Sequence, residues 1–530
     1  METQIEQSLS HKIIKNTIFN IICRFWGILV TLFLTPYIIR HIGIERFGIW
    51  AIIGVITGYF GLLDFGIGTS FVKYIAEYYA KKDYEKINQV VNTGFVFYSI
   101  FAIFIITLAF FIINPLLALF KIPAHLYNEA LFVFLLGIIL FAISNALSAF
   151  GAIQSGLQRM DISNKVAIAI SIPNIIGTFF FLEKGYGLIG LMINNTIIFI
   201  LGSIINVIIA LKILPELRLN LFDFSKEMFK KLFQFGYRMQ IAKISGAATA
   251  QTDKILIAYF LSIGLVTFYQ LGSSIVYYAI SISVLLVSVL MPAFAEIEAK
   301  GQRNELIDVY LRSTKYLTFV TAPLFIFLIV SAFNIMTIWM GAGYEKSSLI
   351  IQILAMSWMI NTIAQVGASA CMAIDRPQLM AAGSVIIILL NIVLSILLIK
   401  IFGFLGVAWG TMLSVNIGTI YFLFKLHTIL SISVKKLVEI TIPYLVICIF
   451  AATFIFGIDT IIHKFNLYTS RSALLAVFFV RGLVFFIIYL VGVYYAKLFD
   501  AVDIDFFRRR LPFASSLMER LFPVRCKTQV

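Results

Sequence analysis

Fourteen long apolar runs, nearly free of charge, decide what this chain can become: they lie near 15–38, 47–70, 90–113, 129–152, 163–182, 186–211, 231–259, 266–291, 313–337, 349–372, 378–399, 404–426, 440–461 and 473–496. About 20 apolar residues suffice for a helix to cross a bilayer core. The runs do not alternate with period two as barrel strands do, so membrane-spanning helices are expected. Composition agrees, with 61% hydrophobic and 13% charged positions against about 25% charged in a soluble domain. A soluble chain of 530 residues could not hide that much apolar surface, because single cores stop growing near ~250–300 residues. Soluble enzymes, disordered chains and secreted disulfide modules are excluded. The segment METQIEQSLSHKIIKN is polar, and the run after it is too long for a signal h-region, so no cleavage is expected. The four cysteines (Cys23, Cys371, Cys448, Cys526) and five histidines show neither disulfide nor metal spacing, and no metal or cofactor is expected.

Charge sets the orientation. With the N-terminus inside, the cytoplasmic segments and adjoining helix ends hold 28 Lys and Arg, the opposite side holds 8, and five lie within spans. Such an excess marks the cytoplasmic face. Both termini are then cytoplasmic, and the formal charge of +15 needs no nucleic acid.

The runs repeat. HIGIERFG at 41–48 answers SIGLVTFY at 262–269, AEYYAKK at 76–82 answers AEIEAKG at 295–301, GLQR at 156–159 answers AIDR at 373–376, Asn174-Ile175 answers Asn391-Ile392, and GLIG at 187–190 answers GFLG at 403–406. The matches stay in register, at offsets of 216 to 221. An even number of helices per repeat keeps both copies in one orientation, so the expected fold is an all-α polytopic membrane protein. Its two six-helix lobes are related by a pseudo-two-fold along the membrane normal, with a cleft between them. The expected division is a cytoplasmic N-terminal segment at 1–14, an N-lobe at 15–211, an amphipathic linker at 212–230, a C-lobe at 231–426, two extra helices within 427–496 and a basic tail at 497–530. Gly43, Gly48, Gly264, Gly341, Gly66 and Gly68 are candidate hinges or turns.

Seven ionisable residues fall inside the expected spans: Arg24, Asp64, Arg238, Lys243, Asp253, Lys254 and Arg481. Each costs roughly 2.5–3.5 kcal/mol at mid-membrane, so each should face a cavity or a partner. Asn16, Asn20, Arg24, Gly27, Thr31 and Thr35 share one helical face, which should line water. Asp64, on a helix running the other way, reaches a comparable depth. A pair with Arg24 would be either a structural stitch or a contact that opens to an anion. Lys243 is the approximate repeat mate of Arg24. Arg238 lies near enough to the inner end to snorkel. Asp253 and Lys254 near the outer end can pair locally, and Arg481 can dock its helix. Ser357, Asn361, Gln365 and Ser369 form one polar stripe, and Gln270, Ser274, Tyr277 and Ser281 another. Such stripes either bond neighbouring helices or offer groups to sugar hydroxyls. Cations beside amides suit a diphosphate with attached sugars.

LTPYIIRHIGIERFGIWA, LLDFGIGTSFVKYIAEYYAKKD and QTDKILIAYFLSIGLVTFYQLG resemble the polysaccharide-repeat flippases, over roughly residues 10–430. These are the Wzx-type members of the multidrug/oligosaccharidyl-lipid/polysaccharide exporter superfamily. The resemblance implies a bacterial or archaeal plasma-membrane protein. It would turn over undecaprenyl-diphosphate-linked oligosaccharides from the inner to the outer leaflet by alternating access, for assembly of surface polysaccharide such as O-antigen or capsule. It further implies a diphosphate held by cations of helix 1 and the cavity, a role that Arg24 matches by type and place and Lys243 by repeat. Arg238, Asp64, Asp253, Lys254, Asn20, Asn361 and Gln365 complete the candidate substrate site. Expected partners are the lipid-linked oligosaccharide, membrane lipids and the polysaccharide polymerase and chain-length machinery.

No GxxxxGK[ST] loop is present, so energy must come from a gradient, the membrane potential or downhill disposal of the substrate; coupling to protons or sodium stays open. A drug or cation antiporter of the same build would want a more acidic cavity. A membrane-embedded glycan polymerase or transferase would want acid and base residues on a large outer loop, and the outer loops here are short.

Overall fold

The computed structural model describes residues 2–500 and 503, except 65, 221–222 and 465–470, and leaves aside the side chains at 2–15, 17, 63, 238–239, 241–250 and 458–464. The tail arginines Arg508, Arg509 and Arg510 lie outside the described residues.

Among the described residues there is no strand. The helices are α1 (Glu2–Phe60), α2 (Ile67–Ala80), α3 (Tyr84–Leu119), α4 (Tyr127–Gly156), α5 (Met160–Glu183), α6 (Gly187–Ile213), α7 (Lys226–Phe260), α8 (Ile263–Val287), α9 (Leu290–Ala299), α10 (Arg303–Trp339), α11 (Glu345–Ala373), α12 (Pro377–Phe402), α13 (Phe404–Leu430), α14 (Val434–Lys464) and α15 (Arg471–Tyr495). Twelve helical stretches among the described residues are long and apolar enough to cross a membrane. The first, Ile18–Phe60, holds two of the expected spans, divided at Gly43 (φ 82°, ψ 170°), a conformation that only glycine takes cheaply.

The expected span 47–70 is not one helix. It stops at Phe60, tightens into a 3-10 turn over Gly61–Asp64 and restarts as α2. Gly66 takes φ 71° at the restart, and its N–H donates to Asp64 Oδ1 at 2.6 Å. In the second copy α8 likewise ends at Val287 and α9 follows at Leu290. Of the candidate hinges, Gly43, Gly66 and Gly341 have positive φ, whereas Gly68 lies inside α2 and Gly264 inside α8. Within the linker, α6 ends at Ile213, 214–220 and 223–225 are non-helical, and α7 begins at Lys226. The linker's extended part is held by α3, where Asn88 Nδ2 donates to Glu216 O at 3.0 Å and Asn88 Oδ1 accepts from Arg218 N at 2.6 Å. Asn92 makes the same double contact with Arg218 O and Asn220 N.

The duplication is visible in the backbone. Left-handed residues end corresponding helices: Lys82 and Gly301, Lys121 and Gly341, Gln158 and Asp375, with Gly187 and Gly403 at the last shared turn. The closing bonds repeat too, as Arg159 N→Gln154 O at 2.8 Å and Arg376 N→Cys371 O at 3.0 Å. Asn194 Nδ2 donates to Asn174 Oδ1 at 2.9 Å between α5 and α6, and Asn391 Nδ2 donates to Thr411 Oγ1 at 2.9 Å between α12 and α13.

The chain packs as two compact units. The first runs to Gln270 and includes Ile399–Val407; the second comprises Leu271–Leu398 and the chain from Ala408. In the first, α7 packs against α1, α2 and α3, and α4, α5 and α6 form a layered bundle. In the second, α10 is central: α11 packs on one side and α14 and α15 on another, around a core that includes Phe327, Tyr444, Phe485 and Tyr489.

Candidate functional site

The polar face of α1 does two jobs. Its first residues bind α5: Asn16 Nδ2 donates to Gln158 O at 3.1 Å and Asn16 Oδ1 accepts from Asp161 N at 3.2 Å. Asn20 Oδ1 accepts from Asn164 Nδ2, and Trp26 Nε1 donates to Ser171 Oγ at 2.6 Å. Thr31 and Thr35 spend their hydroxyls on their own helix, at Gly27 O and Thr31 O. The stripe is a helix seam at its first two residues, because amide side chains bond whatever polar group lies within reach, while Asn20, Arg24, Gly27 and Thr31 are exposed.

Arg24 is the exception. It is exposed and, among the described residues, makes neither hydrogen bond nor ion pair. It lies eight residues, or about 12 Å of helix, beyond Asn16. A Cβ added at Gly27, one turn on, would meet nothing within 4 Å, so the guanidinium borders open space. An exposed planar fork with five donors is a receptor for phosphate or carboxylate oxygens.

The expected Arg24–Asp64 pair does not form. The break at 61–66 turns Asp64 to local work, where it accepts from Gly66 N and, at 3.3 Å, from Tyr98 Oη. Gln240 on α7 completes the turn, donating through Nε2 to Leu62 O at 2.8 Å and Gly61 O at 3.3 Å. These carbonyls lose their helical partners at the break, and a buried carbonyl needs a donor. The sequence offers only a weak signal for Gln240, a polar residue mid-span.

The side chains of Arg238 and Lys243 lie outside the described residues. Asp253 and Lys254 are buried and engaged locally: Tyr269 Oη donates to Asp253 and Lys254 Nζ to Gln251 Oε1 at 3.2 Å. In the second unit, Asn361 Nδ2 donates to Thr419 Oγ1 at 2.9 Å. Asn361 and Gln365 line a cavity of about 220 Å³. Arg481 is buried in α15. Among the described residues no His, Cys, Asp and Glu gather in a group that could hold a metal ion.

The sequence model of a family described as "Polysaccharide biosynthesis protein" matches residues 13–298. A putative O-antigen transporter of Shigella flexneri is 21% identical over 406 residues, 75% of this chain and 93% of the relative. An uncharacterized membrane protein of Methanocaldococcus jannaschii is 22% identical over 461 residues, 83% of this chain and 86% of the relative. Among solved structures, the lipid II flippase MurJ in an inward closed conformation superposes with a TM-score of 0.67 at 19% identity, covering 93% of this chain and 99% of its own. An inward-facing multidrug resistance MATE family transporter of the MOP superfamily gives 0.68 at 13% identity, covering 76% and 94%. At these identities the structures establish the shared fold.

Proposed function

Because the chain belongs to the polysaccharide biosynthesis protein family, we propose that it is a flippase for lipid-linked glycans. It carries undecaprenyl-diphosphate-linked oligosaccharide repeat units from the cytoplasmic to the outer leaflet of a bacterial or archaeal plasma membrane by alternating access, and feeds a surface-polysaccharide assembly line. Its relatives' names, a putative O-antigen transporter of Shigella flexneri and a probable low-salt glycan biosynthesis flippase of Haloferax volcanii, favour that substrate class. The observation that carries the reading is Arg24, an exposed cation within a long apolar helix with no anion beside it among the described residues. A fixed positive charge there costs free energy unless an anion visits, and a lipid diphosphate is the anion that arrives from within the membrane. Lys243, at the repeat-equivalent position, supplies the second positive charge in this proposal.

A strain lacking its own repeat-unit flippase provides the test. The wild-type chain restores surface polysaccharide. Arg24→Ala removes a charge-assisted contact worth about 1.5–3 kcal/mol, so transport falls roughly 10- to 100-fold. Arg24→Lys keeps charge without the fork and retains an intermediate level. Full restoration by both Arg24→Ala and Lys243→Ala would refute the site.

A further inference from the structure

The two copies of the repeat hold the same cleft at different sizes. In the first unit α4, α5 and α6 border about 580 Å³; in the second α11, α12 and α13 border about 220 Å³. Nine of the eleven residues lining the smaller cavity sit 217 positions after a residue lining the larger one. Side-chain bulk changes in both directions. Ser144, Ser148, Ser163 and Gly202 in the larger cleft are replaced by the bulkier Asn361, Gln365, Met380 and Thr419 in the smaller one, while Leu147 and Val166 give way to Ala364 and Gly383. The Asn361–Thr419 hydrogen bond, at 2.9 Å, then ties α11 to α13 across the space. Of the two, the larger cleft falls within the roughly 300–1,000 Å³ of small-molecule sites.

Its lining is neutral and rich in hydroxyls. A network at one end is self-contained: Ser163 Oγ donates to Gln154 Oε1 at 2.7 Å and Gln154 Nε2 to Asn206 Oδ1 at 2.9 Å. Ser144, Ser155 and Ser203 differ. They line the cavity and, among the described residues, their hydroxyls bond to nothing, although a serine in an apolar helix ordinarily turns back to its own carbonyls. Phe199 adds a ring face. Among the described residues no charged one lines the space, so it suits neither phosphate nor cation. α5 also fixes the depth. Asn164 and Ser171, on the face toward α1, bracket the level of Arg24 through Asn20 and Trp26. The cavity residues Ser163, Val166, Ala167 and Ile170 lie at the same level on an adjacent face of α5.

We propose that this serine-lined cavity of the first unit takes the uncharged sugars of the lipid-linked substrate while Arg24 holds its diphosphate, and that the Asn361–Gln365 cavity is its narrower counterpart. The inference rests on the flippase reading above, and its test separates the two. The purified full-length chain is titrated with undecaprenyl diphosphate and with undecaprenyl diphosphate bearing a neutral trisaccharide. The wild type binds the glycosylated probe about tenfold more tightly, as a site with unspent hydroxyls should. Ser148→Gln with Gly202→Thr copies the narrower cavity into the first unit. This variant keeps its affinity for the bare diphosphate and loses the preference. Ser144→Asn, a single change at a serine outside the Gln154 network and checked for an unchanged melting midpoint, does the same if the double variant fails to fold. A preference that survives in both variants, or a wild type without one, overturns the sugar compartment and leaves the diphosphate reading standing. Weaker binding of the bare lipid by the filled variants assigns the cavity to the prenyl chain and also overturns it. A wild type that binds neither probe removes both readings.

Discussion

Arg24 differs from the other polar residues of its helix face in having, among the described residues, nothing to hold. Asn16 and Asn20 secure α5, and Thr31 and Thr35 bond their own carbonyls. Substituting Asn16 or Asn20 should loosen the bundle, whereas substituting Arg24 should change only what binds. Arg24→Ala is therefore expected to keep the wild-type melting midpoint while surface polysaccharide falls, a separation read by thermal unfolding beside complementation. Gly66 makes the opposite case. Its φ of 71° costs an L-residue about 1–2 kcal/mol, and a Cβ there would lie 2.2 Å from Gly236 O, a backbone atom that cannot rotate away. Gly66→Ala should lower the melting midpoint and the amount of folded protein, with no change in probe affinity for the fraction that folds. Arg24 was legible from sequence because a lone charge in an apolar run is conspicuous. The serines of the larger cavity were not. Their hydroxyls barely alter hydropathy, and nothing in the spacing tells a serine that bonds its own helix from one that faces a cavity.

At the scale of elements, the interruption at 61–66 shows what hydropathy leaves out. Residues 47–70 read as one span because a glycine pair and one aspartate do not outweigh the surrounding apolar side chains, and hydropathy scores side chains rather than backbone torsion. The break moves Asp64 from a presumed partner of Arg24 to a cap for the restart at α2. Equal depth on two helices is readable from residue counts, but the direction in which each side chain leaves its helix is not once the helix is broken. The repeat, by contrast, was readable, since turn residues recur with their left-handed backbone at Gln158 and Asp375 or Gly187 and Gly403. The break also creates a demand that α7 meets, with Gln240 donating to Gly61 O and Leu62 O. Gln240→Leu removes the donor and leaves two carbonyls bare, a loss of about 1–3 kcal/mol. Faster proteolysis between Phe60 and Ile67 would report it, and an unchanged cleavage rate would show that the turn holds without α7.

For the molecule as a whole, the helices outside the duplication must be tied to it, and the second unit shows the tie. Asp503, after α15, has a fully buried side chain and draws three groups of α10 to itself: Arg312 Nη1 at 2.9 Å, Tyr316 Oη at 2.6 Å and Lys315 Nζ. Burial alone would raise its pKa, but the bonds from Lys315, Tyr316 and the Asp500 N–H outweigh it and hold the carboxyl below its ordinary value. A carboxylate depressed in the folded state stabilises fully above its unfolded pKa of about 3.9, and that contribution is lost only as pH falls through the lower folded value. The tie should therefore be insensitive to pH between about 5 and 8. Asp503→Asn leaves Lys315 and Arg312 without their shared anion. The cost should be roughly 2 kcal/mol, below the 3–5 of a fully enclosed pair, because Arg312 keeps 28% of its side chain exposed. Two measurements check this. The melting midpoint of the wild type should stay level from pH 5 to 8 with that of Asp503→Asn beneath it throughout, and tryptic cleavage after Lys497 should quicken in the variant alone. A wild type whose cleavage rises as pH drops through 6 would mean that a group other than Asp503 governs how α15 is fastened to α10.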